Sequence, residues 1–177
     1  MTGTHSRTES AGSPFWGFSL AFYRRSGVAD ACIALQEHSG VDVNLLLYLL
    51  WQASLERSFV ANDVAKLEKD IAPWREATVI PLRALRRALK EPPGLVARAA
   101  AEAFRNRIKA VELEAERLQQ EAMYERSQPQ SAGQPAGSPE QAARTNVAAY
   151  QEFLGTPMPL SAVEIVIDNF AAMNAGG

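Results

Sequence analysis

The feature that most constrains the fold is an apolar run at residues 45–51, Leu-Leu-Leu-Tyr-Leu-Leu-Trp, placed just after Asp42 and Asn44. These residues are apolar around the whole circumference of a helix, and such a helix is buried on most sides. The carboxylate of Asp42 can accept a hydrogen bond from the free N–H groups of the first turn. We therefore expect a central core helix over residues 43–58, capped by Asp42. Asn44 is either a polar residue of its first turn or a group that faces a pocket or a partner.

The other segments also carry helical patterns, and none alternates with the period of a strand. Glycines, prolines and capping residues divide the pattern into helices at about 14–26, 28–38, 43–58, 62–72, 74–90, 95–126, 139–155 and 161–173. Pro73 should separate two helices, and Pro81 should kink or break the second of them. Ser138 should cap one helix, and Ser161 with Glu164 should form the capping box of the last. The predicted fold is all-α, a single-domain bundle of seven or eight helices. Helices 1 and 2 wrap the central buried helix, and the long helix at 95–126 lies outside.

Composition limits the class of protein. Residues 1–12 are predicted to be a disordered tail, and residues 13–173 a helical domain interrupted by a flexible Pro/Gly/Gln linker at 128–138. The formal net charge of −2 argues against a general nucleic-acid binder. The single cysteine, Cys32, excludes an internal disulfide and fits a reducing compartment. No segment is long and apolar enough to span a bilayer, and the polar start has no signal-peptide core. We expect a cytoplasmic protein.

Short motifs in the first third of the chain point to a known family. They are Phe-Trp-Gly-Phe-Ser-Leu at 15–20, Gly27-Val28, Val-Asp-Val-Asn-Leu-Leu-Leu at 41–47 and Trp51, followed later by Trp74-Arg75, Pro81, Arg83 and Arg86. With these motifs the chain resembles an uncharacterised family of bacterial, mainly proteobacterial, proteins over most of residues 15–170. The resemblance implies a helical bacterial protein of unknown function and supplies no catalytic residues.

A basic stripe is predicted on the helix at 74–90. Counted at about 100° per residue, one face carries Arg75, Arg83, Arg86, Arg87 and Lys90. Guanidinium forks match the oxygens of phosphates and carboxylates, so the stripe is a candidate binding surface for an acidic partner. The alternative is a solvated face paired with the glutamates of the long helix, where ion pairs are individually weak.

The long helix carries a regular apolar seam. Residues 97, 101, 104, 108, 111, 115, 118 and 122 are spaced alternately four and three apart, the pattern of a helix that packs along another helix. The candidate interface is Phe104, Ile108, Val111 and Leu118. The seam is filled either by other helices of the chain or by a second copy in a homodimer.

The sequence contains no recognisable catalytic or metal-binding motif. It has two histidines, and no spacing of carboxylates, histidines or cysteines typical of a metal site or a nucleophile. No catalytic residue, metal or cofactor is predicted. The preferred hypothesis is a non-enzymatic interaction or adaptor protein. The first alternative is a protein that binds a small anionic or amphipathic ligand in an aromatic pocket between helices, lined by Trp16, Tyr23, Asn44, Trp51 and Trp74. An enzyme that uses Asp42, Arg75 or Tyr23 is the weakest of the three.

Overall fold

A computed structural model describes residues 12–126 and 133–175 and has the predicted all-α fold. Within these residues the helices are α1 (Pro14–Tyr23), α2 (Val28–Ser39), α3 (Val43–Ser54), α4 (Ala61–Trp74), α5 (Ile80–Ala88), α6 (Arg98–Arg126), α7 (Pro139–Leu154) and α8 (Leu160–Asn174). Two short strands, β1 (Arg57–Ser58) and β2 (Gln134–Pro135), form one antiparallel pair. A π-helical turn at Arg75–Val79 joins α4 to α5. The predicted tail at 1–12 lies outside the described residues except for Gly12, and so do residues 128–132 of the linker predicted at 128–138, whereas residues 133–138 are described and contain β2.

The α3 helix is the central buried rod, as predicted. Leu45, Leu46, Leu49 and Leu50 are fully buried, and the Asp42 carboxylate accepts a hydrogen bond of 2.8 Å from the Leu45 N–H. Helix α7 packs most extensively against α3, with α1 and α6 beside it. The predicted wrapping by helix 2 is wrong, because α2 packs on α8 instead. Asp42 is thus the cap of α3, and Asn44 lies in the first turn of that helix.

The central helix ends four residues earlier than predicted, at Ser54. Glu56 adopts a left-handed backbone conformation (φ 57°), and the chain then pairs with β2. Asn146, fully buried on α7, fixes this turn by donating to the carbonyls of Leu49 (2.8 Å) and Arg57 (3.0 Å). It also accepts from the Phe59 N–H at 2.7 Å. A polar residue far along the chain therefore decides where α3 ends.

The predicted separation at Pro73 is wrong, since α4 runs through Pro73 to Trp74. The interruption predicted at Pro81 takes the form of the π-helical turn, in which the Ile80 N–H donates to the Arg75 carbonyl five residues back. A proline cannot donate the usual helical hydrogen bond, and a wider turn accommodates it. One extra residue in a turn rotates all later side chains by about 100°. The predicted stripe is consequently split, with Arg75 on one side of the turn and the later basic residues on another.

The seam on α6 is not filled from within the described part of the chain. Phe104, Val111 and Leu118 remain 41%, 52% and 43% exposed, and Ile108 is half-buried. Two alanines of the seam, Ala101 and Ala115, are buried, and the other buried residues of α6 lie off the seam: Glu112, Gln119, Gln120 and Met123. A heptad pattern predicts that apolar residues face inward, but here ion pairs with α5 and buried amides make half of the buried residues of α6 polar.

The cap predicted for the last helix is wrong. Helix α8 starts at Leu160, with Pro159 at its cap position and no side-chain capping hydrogen bond. Leu160, the first residue of α8, is 77% exposed. Helix α4 starts at Ala61, one residue before the predicted start, and it also has no side-chain capping hydrogen bond. Across the described residues, no helix combines the length and the apolar character that crossing a membrane requires.

Candidate functional site

A cleft of about 700 Å³ lies between α1, α2, the first turn of α3, α5 and α6. We refer to it as the main cleft. Its size suits a small organic molecule, since ligand sites are concave and have volumes of several hundred Å³. Its lining brings together residues that are far apart in the sequence, from Trp16 on α1 to Gln120 on α6.

The floor of the main cleft is polar and buried. Ser19, Asn44 and Gln120 are 3%, 7% and 2% exposed. Gln120 Nε2 donates to Asn44 Oδ1 at 2.7 Å, whereas Gln120 Oε1 and Ser19 Oγ have no hydrogen-bond partner. A buried polar atom without a partner costs about 1–3 kcal/mol. The floor therefore has unused hydrogen-bonding capacity beneath a space large enough for a ligand.

The middle of the main cleft is apolar. Trp16 and Leu20 of α1 lie on one side, and Val43 and Leu47 of α3 on another. Tyr23 completes the aromatic part, and burial raises the pKa of its hydroxyl. This part of the cleft suits an apolar or aromatic body.

Two arginines of α5 are held against α6 by carboxylates. Arg83 contacts Glu112 at 3.1 Å and Glu116 at 2.6 Å, and Arg86 hydrogen-bonds to both oxygens of Glu112. Burial pushes the pKa of Glu112 upward, but the hydrogen bonds from the two guanidinium groups outweigh it and the pKa is lowered. Burial raises the pKa of Glu116, although Arg83 opposes the shift. Arg83 and Arg86 of the predicted basic stripe are thus paired with glutamates of the long helix.

The rim of the main cleft carries the remaining cations. Arg87 and Lys90, at the end of α5, and Lys109 of α6 are exposed. The only carboxylate near Arg87 among the described residues is that of Glu37, at 3.9 Å. In total, five basic side chains and three carboxylates line the cleft, so its mouth favours an anion.

Asp42 and Arg75 belong to a separate polar cluster that joins three helices. Arg75 forms a two-point contact with Glu68 (2.8 and 2.5 Å) and reaches Asp42 Oδ2 at 3.2 Å. These hydrogen bonds and charges raise the pKa of the Arg75 guanidinium despite burial. Tyr150 Oη accepts the Asp42 N–H at 2.8 Å. The cluster fixes the start of α3 to α4 and α7.

The structure divides the residues of the predicted pocket among three places. Trp16, Tyr23 and Asn44 line the main cleft. Trp51 lies in the core, with its ring stacked on Phe15 at a centroid distance of 5.3 Å. Trp74 lines a second depression of about 370 Å³, between α4 and α6, which we call the Trp74 groove. Contrary to the predicted pocket, Trp51 and Trp74 do not line the main cleft.

Sequence reasoning missed the polar floor and one wall of the main cleft. Ser19, Lys109, Glu112, Glu116 and Gln120 all line it, and none was a candidate pocket residue. The available signal was the polar pair Gln119-Gln120 in the interior of a long helix beside an apolar seam. A helical wheel cannot show that Gln120 meets Asn44, because that contact spans 76 residues.

The described residues contain no group of three or more histidine, cysteine, aspartate or glutamate side chains placed to hold a metal ion. Cys32 is fully buried, and burial raises the pKa of its thiol to about 12. A thiol reacts as the thiolate, so this side chain is a poor nucleophile at neutral pH. The groups that the main cleft offers to a ligand are amides, hydroxyls, aromatic rings and charged side chains.

Comparison with known proteins identifies the family but not an activity. No curated protein and no solved structure matches the chain. One family model matches residues 14–123, a range that contains α1 to α5 and most of α6 and therefore all the elements of the main cleft. The chain belongs to the family described as protein of unknown function (DUF2390).

Proposed function

We propose that this protein binds a small molecule in the main cleft. The ligand has an acidic group at its outer end, an apolar body, and a hydrogen-bond donor at its inner end. The observation that carries the proposal is the pair of unpartnered, buried polar atoms, Gln120 Oε1 and Ser19 Oγ, in residues that line a cleft of about 700 Å³.

The inner end of the ligand is defined by the floor. Gln120 Nε2 is already used by Asn44, so the free group of this amide is an acceptor, Oε1. A hydroxyl or N–H on the ligand would satisfy it. The terminal torsion of a glutamine is broad, so a small turn of the amide can present its oxygen to the cleft. The hydroxyl of Ser19 can then act as donor or acceptor to the same ligand group.

The outer end is defined by the charges. Arg83 and Arg86 are compensated by Glu112 and Glu116, which leaves Arg87, Lys90 and Lys109 to attract an anion at the mouth. Exposed cations steer and orient an anionic ligand more than they add affinity. Between the two ends, Trp16, Leu20 and Leu47 contribute apolar contact area.

Calorimetric titration with three related probes tests this arrangement. The probe 6-hydroxy-2-naphthoate has a carboxylate, an apolar double ring and a distal hydroxyl. 2-Naphthoate lacks the hydroxyl, and 2-naphthol lacks the carboxylate. We expect the hydroxy acid to bind about tenfold more tightly than 2-naphthoate, because the missing hydrogen bond removes about 1–1.5 kcal/mol, and less than about tenfold more tightly than 2-naphthol, because exposed cations add little affinity.

Two variants assign the ends of the ligand. Gln120→Leu should abolish the advantage of the hydroxyl and leave the affinity for 2-naphthoate unchanged. Lys109→Glu should weaken both acids and leave 2-naphthol unchanged. Equal affinities for all three probes, or the same effect of both variants on every probe, would refute the proposal.

A second candidate function is self-association through α6, favoured by the exposure of Phe104, Val111 and Leu118. These residues repeat at intervals of seven and extend over about 21 Å of helix. The occupant we propose is a second copy of α6, because a two-fold pair places the same seam on both sides. Light scattering should then show a dimer that dissociates in the Phe104→Glu, Val111→Glu variant. A monomeric wild-type protein would rule out this candidate.

A further inference from the structure

The Trp74 groove lies between α4 and the C-terminal half of α6 and shares no residue with the main cleft. Trp74 is 41% exposed and contributes one wall. Its indole Nε1–H donates to the Ala115 carbonyl at 3.0 Å, which holds the ring in one orientation. A half-exposed, fixed indole beside a depression of about 370 Å³ is a surface on which a flat group can stack.

Gln119 is the buried polar residue of this groove. It is 3% exposed, and both Nε2 and Oε1 lack a hydrogen-bond partner. Two unpartnered atoms in one buried side chain are uncommon, because each costs about 1–3 kcal/mol. Leucine would have filled the same volume without that cost.

The rest of the groove carries no uncompensated charge. Asp70 and Arg126 line it, and their side chains pair with each other at 2.7 Å. Ile71, Leu118 and Met123 make most of the remaining surface apolar. An ionised ligand would lose its hydration there without gaining a partner, so a neutral ligand is favoured.

We propose that the Trp74 groove is a second binding site, which takes a flat, neutral compound bearing a primary carboxamide. A carboxamide presents a donor and an acceptor side by side, the same pair that Gln119 presents. Two such groups can form two parallel hydrogen bonds, once the terminal torsion of Gln119 turns its amide toward the groove. The flat body of the ligand stacks on the Trp74 indole. This site does not depend on the function proposed for the main cleft.

Titration with benzamide, followed by ¹H–¹⁵N NMR, tests the proposal. The chain has three tryptophans, and a Trp74→Phe variant assigns the Trp74 indole signal. Benzamide should shift this signal to saturation and leave that of Trp16 in place. Benzoate and toluene, which have similar rings but lack the neutral donor and acceptor pair, should bind at least about fivefold more weakly, because two hydrogen bonds are worth about 1–3 kcal/mol.

Neighbouring glutamines supply the matched variants. Gln119→Leu should weaken the binding of benzamide by at least about fivefold, while Gln120→Leu, on the main-cleft side of α6, should leave it unchanged. Gln119→Met provides a second variant with the same expectation. Toluene binding as tightly as benzamide, or unchanged benzamide affinity in Gln119→Leu, would overturn the proposal, and so would the absence of any Trp74 shift. These outcomes are independent of the naphthoate titrations, in which Gln120→Leu tests the main cleft and not the Trp74 groove.

Discussion

Gln120 Nε2 donates a hydrogen bond of 2.7 Å to Asn44 Oδ1, which ties α6 to the first turn of α3 at the floor of the main cleft. Both carboxamides are almost completely buried. Asn44 is therefore more than a solvated residue of a first turn: it positions Gln120 and occupies the donor of that amide. The remaining acceptor of Gln120 is the group on which the proposed ligand site depends.

The amide pair should stabilise the fold. Gln120→Leu leaves the buried Asn44 oxygen without its donor, which costs about 1–3 kcal/mol, but it also removes the unpartnered Gln120 Oε1, so we expect the free energy of unfolding to fall by about 1 kcal/mol or less. The double variant Asn44→Leu, Gln120→Leu removes both groups and should be more stable than the sum of the single changes implies. Urea unfolding of the four proteins measures this coupling. Strict additivity of the two single changes would mean that the pair contributes nothing.

Asp42 has two separable roles, as the cap of α3 and as a partner of Arg75. Asp42→Asn keeps an oxygen that can accept the Leu45 N–H but removes the charge that faces Arg75. Asp42→Ala removes both. We expect Asp42→Ala to destabilise the protein by about 1 kcal/mol more than Asp42→Asn. Thermal unfolding followed by circular dichroism gives the difference, and equal losses would show that the cap is not important.

The two glutamates that hold Arg83 should respond oppositely to pH. The pKa of Glu112 is lowered in the folded state, so its stabilising effect is present above the pKa of the unfolded chain and is lost as pH falls through the folded value. Glu112→Gln should thus cost about 2–3 kcal/mol at neutral pH and progressively less on acidification.

Glu116 is the matched control for that measurement. Its pKa is raised by burial, so the folded state holds the proton more tightly and the wild-type protein loses stability as pH rises from the unfolded pKa through the folded one. Over that rise in pH, the free energy of unfolding of Glu116→Gln should therefore increase relative to that of the wild-type protein. Urea unfolding at several pH values, from about 3 to about 7, records both profiles. Parallel profiles for the two variants would contradict the opposite shifts.

Asn146 should be sensitive to a change of a single atom. Its Nδ2 donates to two backbone carbonyls, and its Oδ1 accepts the Phe59 N–H. In Asn146→Asp a carboxylate oxygen replaces the donor and faces the carbonyls of Leu49 and Arg57. We expect a loss of about 3 kcal/mol or more, because a buried charge is left unpaired. Asn106→Asp, at an exposed position on α6, is the control and should change stability by less than about 0.5 kcal/mol.

Local patterns predicted the helices well, and long-range polar contacts explain where the prediction failed. The burial of α3, its cap at Asp42, and the Ser138 cap of α7 all follow from residues within one turn of each other. The early end of α3 depends on Asn146, which no local pattern connects to Ser54. The apolar seam of α6 was predicted to be its packing face, whereas the face that packs inward also contains the polar residues Glu112 and Gln120.

The candidate site was predicted only in part for the same reason. Trp16, Tyr23 and Asn44 were predicted correctly as pocket residues because they lie on α1 and α3, two helices that are close in sequence. Trp51 was misassigned because a tryptophan in an apolar helix has the same pattern whether it faces a pocket or stacks on Phe15. A regular α-helix would place Arg75 on the same face as Arg83. The extra residue of the π-helical turn moves them to different faces.

The most direct test of the main-cleft proposal is affinity capture of small molecules from a lysate of the source organism, analysed by mass spectrometry. Immobilised wild-type protein is compared with Leu20→Trp, which fills the cleft from the α1 wall. The proposal predicts at least one acidic compound that the wild-type protein retains and the variant does not. If both proteins retain the same set of compounds, the main cleft is not the binding site and the proposal is wrong.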